Sequence, residues 1–365
     1  MRVLVTGGAG FIGHHLIEHI LKNTNWQIVS LDRLDTSGNL NRLASLPIWH
    51  AEGTRVKVVF HDLRAPVNQS VASRIGDCEY VFHLAAASHV DRSIENPLEF
   101  VENNVVGTCN ILEFVRERGC SRFLYFSTDE VFGPAPGGVR YREWDRYNSS
   151  NPYAASKAGA EELCLAYENT YKLPILITHT MNVFGERQHP EKFIPSTILK
   201  VLNGEQVIIH GSPEGLPGSR FYIHARNVAA AALFVMSNGW PGDKYNIVGE
   251  MEVDNLQMAK MIASAVGKDL DYKIVDFHSS RPGHDLRYAL DGSRLSDFGF
   301  KLPVTFRKSL NKTIKWTLEH KEWLHGASDR LRTEQGTKNV TSGSAGLDKI
   351  GDPRRQQRPQ AGRFA

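Results

Sequence analysis

Along the first half of the chain, short apolar runs rich in Val, Ile and Phe alternate with longer amphipathic stretches. The runs Val3–Thr6, Gln27–Leu31, Val56–Phe60, Tyr80–His83 and Phe123–Ser127 read as buried strands. The clearest helical patterns are Pro97–Arg118 and Pro152–Tyr171, and a sixth strand, Ile175–Thr180, follows the second of them. Strands that alternate with helices imply right-handed crossovers and a parallel sheet covered on both faces. The expected fold class is α/β, with a doubly wound parallel sheet. After residue 181 the rhythm loosens into shorter elements: Val207–His210, Arg226–Met236, Asp254–Ala265 and a last helix within Thr305–Leu324. Residues 1–180 are thus read as one domain, with about 220–248 returning to it. Residues 181–324 form mainly a smaller mixed α/β part. Beyond Leu324 the chain is polar, rich in Gly, Ser, Gln and Arg and without periodicity, so 325–365 is expected to be a disordered tail.

Composition narrows this only slightly. The 365 residues are 41% hydrophobic and 23% charged, ordinary for a globular chain, with a formal net charge of +3. From Ser328 onward there are 8 Lys and Arg against 4 Asp and Glu, so the excess sits in the tail. No clustered basic face argues for nucleic acid. Cys78, Cys109, Cys120 and Cys164 form no CxxC pair, which suggests neither a metal site nor a disulfide scaffold. With no apolar stretch of membrane-spanning length and no charged leader, the expected setting is the cytoplasm.

Between the first strand and first helix lies Thr6-Gly7-Gly8-Ala9-Gly10-Phe11-Ile12-Gly13. Glycines at 7, 10 and 13 allow a tight turn, close approach of a pyrophosphate and close packing of helix on strand. The helix N-terminus then offers free N–H groups to the phosphates. Asp32 ends the second strand, where a carboxylate accepts hydrogen bonds from the adenosine ribose and repels a 2′-phosphate. NAD is therefore the expected cofactor, although neighbouring Arg33 could serve a phosphate. Asp62 and Leu63 follow the third strand and are placed to meet the adenine. Leu84, Ala85 and Ala86 follow the fourth, small enough to lie against a cofactor. These features make the sheet Rossmann-type.

Tyr153 and Lys157 lie four apart on one helix face, where an ammonium lowers the pKa of a phenol toward a useful base. Asn151-Pro152 suits the start of that helix, with Asn as cap. Thr128-Asp129-Glu130 closes the fifth strand, at the carboxyl end where open α/β sheets bind ligands. Oxidation of an alcohol needs one base and NAD. Two further acids suggest a second proton chemistry, one group taking a carbon-bound proton and one protonating a departing oxygen.

These segments resemble the dTDP-glucose 4,6-dehydratases of the extended short-chain dehydrogenase/reductase family. The likeness is carried by the glycine loop, His83–Ser93, Ser127–Gly133, Tyr153/Lys157, Pro190–Pro195 and Arg281–Tyr288, and it spans roughly residues 1–320. It implies an NAD-dependent lyase. Tyr153 would deprotonate the hexose 4-hydroxyl, with Lys157 and Thr128 in support, as hydride leaves C4. Glu130 would remove the C5 proton, Asp129 would protonate the C6 hydroxyl, and hydride would return to C6. By position the resemblance assigns Ser88, Asn182, Lys192, Arg220, Asn255 and Arg281 to a nucleotide-sugar substrate. It also implies a homodimer through the helices matching Pro97–Arg118 and Pro152–Tyr171. Ala87, Val183, Ile208 and His210 depart from the family pattern and bear on the nucleobase and the hexose. The alternatives are an epimerase or decarboxylase on the same fold, a dehydratase acting on UDP-glucose or UDP-N-acetylglucosamine, and a non-catalytic NAD-binding protein.

Overall fold

A computed structural model describes residues 1–35, 37–277 and 285–325. Met1–Leu324 group as one compact unit, and the expected tail, His325 apart, lies outside the described residues. The six expected strands form as β1 (Arg2–Thr6), β2 (Gln27–Asp32), β3 (Val56–Phe60), β4 (Tyr80–His83), β5 (Arg122–Thr128) and β6 (Ile175–Thr180). A seventh, β7 (Lys244–Ile247), joins beyond β6. The order is β7-β6-β5-β4-β1-β2-β3, with every neighbouring pair parallel. Strand order reverses between β1 and β4, and the crevice beyond their carboxyl ends is where such sheets bind ligands.

Burial explains why the strands read so clearly. Every residue of β6 is buried, as a strand covered on both faces must be, whereas edge strand β3 leaves Phe60 58% exposed. On one face Leu16, Ile17 and Ile20 of the helix Phe11–Asn23 pack with Val228, Ala229 and Val235 of the helix Ala225–Asn238. Each such large aliphatic side chain contributes about 1.5–3 kcal/mol by leaving water. On the other face Ile111, Leu112 and Val115 join Ala160 and Cys164 over Phe123 and Tyr125. A third apolar cluster unites the helices Phe193–Asn203, Asn255–Val266 and Phe306–Glu319.

Two helices differ from the expected pattern. Pro97–Arg118 is helical throughout, but Val101–Val106 widens into a π-helical segment between α-helical Pro97–Phe100 and Gly107–Arg118. The last helix stops at Glu319 because His320 leaves helical geometry (φ −129°, ψ 56°), and a 3₁₀ turn covers Lys321–Leu324. Among the described residues no helix is long and apolar enough to cross a membrane.

Candidate active site

The glycine loop is built for close approach. Gly7 has φ +69°, and a Cβ there would stand 2.9 Å from the backbone nitrogen of Ala85. A Cβ on Gly10 would meet the Gly7 carbonyl at 2.9 Å, and one on Gly13 would collide with it. The chain of Leu84, Ala85 and Ala86 therefore runs directly beside the turn, pinned where the Ala85 N–H donates to Thr6 Oγ1 at 3.1 Å. Gly10 caps the helix of Phe11, Ile12 and Gly13 without any side-chain cap or acidic residue in the first turn, leaving its N–H groups for an anion. A dinucleotide pyrophosphate fits this cradle.

Asp32, 7% exposed, accepts from the N–H groups of Ala9 (3.1 Å) and Leu34 (2.8 Å). Burial pushes its carboxyl up, and these two donors pull it back. Arg33 turns away to Asp35 and Asn103, so it is not held ready for a 2′-phosphate. Asp62 is clamped by Arg64 at 2.6 Å, and the Leu63 carbonyl accepts from Asn110 at 2.7 Å. What this turn offers an adenine is mainly its backbone.

At the end of β5 the expected acids and the tyrosine converge. The Thr128 hydroxyl donates to Asp129 Oδ1 at 3.1 Å and bonds the Tyr153 phenol. Asp129 is 3% exposed, and its Oδ2 has no partner among the described residues. Burial first, then the charge of Glu130, raises its carboxyl to about 7. Burial also raises Glu130, but Asn151, Arg220 and Lys192 oppose the shift. Asn151 Oδ1 accepts from the Ala154 N–H at 2.8 Å, the cap expected for the Tyr153 helix, while its amide donates to Glu130 Oε2 at 3.1 Å.

The phenol itself corrects one expectation. Burial, Glu130 and Asp129 push Tyr153 well above the ordinary phenol range rather than below it, with only Thr128 opposing. Lys157 lies one turn on, 4% exposed, donating to the Phe126 carbonyl at 2.6 Å and sitting over the Tyr125 ring. Burial lowers its ammonium to about 8.

The substrate side is less uniform. Ser88 is exposed just past β4. Asn182 follows β6 on the same rim as Thr128, and its buried Oδ1 has no partner among the described residues. Lys192 precedes the helix Phe193–Asn203 and is near enough for its charge to act on Glu130. Arg220 spends donors on the carbonyls of Ser219, Asp285 and Leu286 and lies over the Tyr288 ring. Its main gift to the cleft is charge. Asn255 is tied to Gly218 and to the Tyr222 hydroxyl. Arg281 lies outside the described residues.

Two supporting residues had no motif to betray them. Asn104, buried in the π-helical segment, exchanges hydrogen bonds with the backbone of Ala87 and donates to Ser156 Oγ at 2.8 Å. Buried Arg42 holds the Ala9 carbonyl at 3.2 Å behind the glycine loop. Neither carries a sequence signal, because each acts on groups distant in the chain.

Residues 3–248 match the NAD dependent epimerase/dehydratase family. A dTDP-glucose 4,6-dehydratase of Escherichia coli is 36% identical over 90% of this chain and 97% of its own. The low-salt glycan biosynthesis protein Agl12 of Haloferax volcanii is 37% identical over 87% and 99%. Among solved structures, a dTDP-glucose 4,6-dehydratase of Streptomyces venezuelae with NAD bound superposes with a TM-score of 0.80 at 34% identity, over 88% of this chain and 98% of that one. A UDP-glucose 4-epimerase of Thermus thermophilus, also with NAD, gives 0.78 at 28% identity over 87% and 98%.

Proposed function

The chain belongs to the NAD dependent epimerase/dehydratase family, and from that premise we propose that it is an NAD-dependent 4,6-dehydratase converting dTDP-glucose to its 4-keto-6-deoxy form. Asp32 and the uncapped helix after Gly10 bind the cofactor. When bound, NAD supplies the acceptor and later donor of one hydride and, oxidised, a positive charge that favours the Tyr153 phenolate. Tyr153 takes the proton of the hexose 4-hydroxyl, with Thr128 bonded to the same oxygen and Lys157 beneath. Once C4 is a ketone the C5 proton is acidic. Glu130 removes it, and Asp129 donates a proton to the C6 hydroxyl, which leaves as water.

One observation carries this reading: two adjacent carboxyls sit in environments that separate their tasks. Asp129 has an oxygen without a partner among the described residues, and burial and Glu130 raise its carboxyl to about 7, toward an acid's role. Glu130 is also raised by burial, but it accepts from the Asn151 amide at 3.1 Å and faces Arg220 and Lys192, which favour its anionic form. A sister epimerase has no use for a buried proton donor at that place. Incubation with dTDP-glucose should yield the 4-keto-6-deoxy sugar with no net consumption of NAD. Glu130→Gln should lower turnover by about 10²–10⁴, the range of a general base. If Glu130→Gln turns over like the wild type, elimination is not the reaction. Thermal stabilisation by dTDP against UDP distinguishes the nucleobase.

Three coarser features complete the proposal. Residues 181–324 serve mainly substrate binding. A homodimer is supported by Leu98, Val101 and Val106, exposed apolar side chains along the run Pro97–Arg118, and sedimentation tests it. A cytoplasmic setting is supported by four unpaired cysteines and by the nucleotide-sugar substrate.

A further inference from the structure

We propose that Asn151 is a positioning residue for the elimination step, its amide holding Glu130 as the oriented carboxylate while its carbonyl fixes the helix that carries Tyr153. The inference rests on the reading of Glu130 as the C5 base. Asn151 is 5% exposed and spans both halves of the chemistry. Its Oδ1 accepts from the Ala154 N–H at 2.8 Å, a group that can only donate, so the other end of the amide must be the NH₂. That NH₂ donates to Glu130 Oε2 at 3.1 Å. One rigid amide thereby sets the distance between the first step, at Tyr153, and the second, at Glu130.

The surroundings make this donor matter. Facing Glu130 are Asp129 beside it, Tyr153 on the helix, Lys192, Arg220, and Asp285 and Tyr288 on a later segment. The Tyr288 hydroxyl also donates to the same oxygen, and at 3.5 Å it is the longer bond. Burial and then Asp285 oppose ionisation of Glu130, and the two cations and Asn151 favour it. A hydrogen bond to the charged form lowers a carboxyl pKa. Losing it therefore moves the acid limb of turnover, where the base must be deprotonated, to higher pH.

Two variants separate this role from helix capping. Ser and Asp cap helices about as well as Asn, so both keep the bond from Ala154. Asn151→Ser removes the amide donor. Asn151→Asp places a carboxylate oxygen against Glu130 with almost no change of shape. The pH profile of kcat on dTDP-glucose should move its acid limb up by about one unit in Asn151→Ser and further in Asn151→Asp. Below the limb, turnover and deuterium uptake at C5 in heavy water should fall about tenfold for each unit, while thermal midpoints stay near wild type. If one variant does not fold, the other alone decides. Unmoved acid limbs in a wild type that turns over and takes up deuterium at C5 overturn this inference and leave the dehydratase reading standing. A wild type that forms no ketosugar sinks the reading itself, and the inference with it.

Discussion

Replacing Asp129 by Asn should make the protein more stable as the pH rises, because the site holds an acid where its ionised form is unwelcome. Burial first and Glu130 second raise this carboxyl from 3.8 to about 7. That is roughly three units, and at 1.36 kcal/mol for each the ionised side chain costs the folded state about 4 kcal/mol. A folded-state value above the unfolded one means that the favourable contribution is complete below 3.8 and is gone once pH has passed about 7. Between about pH 5 and about pH 8.5 the wild type should thus lose about 3 kcal/mol through this group alone. The Asn variant does not titrate. Thr128 can still donate to its Oδ1, but the new amide nitrogen replaces an oxygen that has no partner among the described residues, at a pH-independent cost of about 1–3 kcal/mol. The variant should therefore be about level with wild type near pH 5 and more stable by about 1–3 kcal/mol near pH 8.5. Urea unfolding of both proteins across that range, at matched salt, measures the difference directly. A difference that stays flat with pH refutes the assignment of a raised carboxyl to this position.

Glu161→Gln should cost about 3–5 kcal/mol, because it strips buried Lys244, 2.9 Å away, of its counter-ion. Burial alone would raise the Glu161 carboxyl, but His179, Lys244 and Tyr147 outweigh it and hold it well below the usual range. Its contribution is present above 4.5 and lost as pH falls further, so the deficit measured by urea unfolding should shrink on acidification, and a deficit constant down to low pH would count against the ion pair. Gly7→Ala should weaken NAD binding at least about tenfold, since a left-handed backbone costs a side chain about 1–2 kcal/mol and the new methyl presses on Ala85. Calorimetric titration with NAD reads this, and unchanged affinity would deny the loop its role.

The sheet was legible because parallel strands covered on both faces carry mostly apolar runs, as Tyr80–His83 and Ile175–Thr180 do, while the edge strand Val56–Phe60, with only Val59 buried, showed itself through its β-branched residues. Asn151-Pro152 announced its helix through the chemistry of a first turn, and the cap is there. The π-helical widening at Val101–Val106 left no such trace, since apolar spacing over six residues does not distinguish it from an α-helical turn. Asn104 was invisible for another reason: its task depends on the loop at Ala87 and on Ser156, both distant in sequence.

The residue types of the candidate site could be read from spacing, but the direction of their titration could not. A Tyr and a Lys four apart suggest a lowered phenol. The fold instead puts Glu130 and Asp129 beside Tyr153 and sends the Lys157 ammonium to the Phe126 carbonyl, so burial and the two acids prevail. Those acids come from the end of β5 and the phenol from a helix some twenty residues later, and only packing decides how near they stand. The arrangement is coherent for a base that has to act in sequence. A phenol that ionises reluctantly beside two carboxyls does so when positive charge is near it, which under the proposed mechanism would tie its ionisation to the presence of oxidised cofactor.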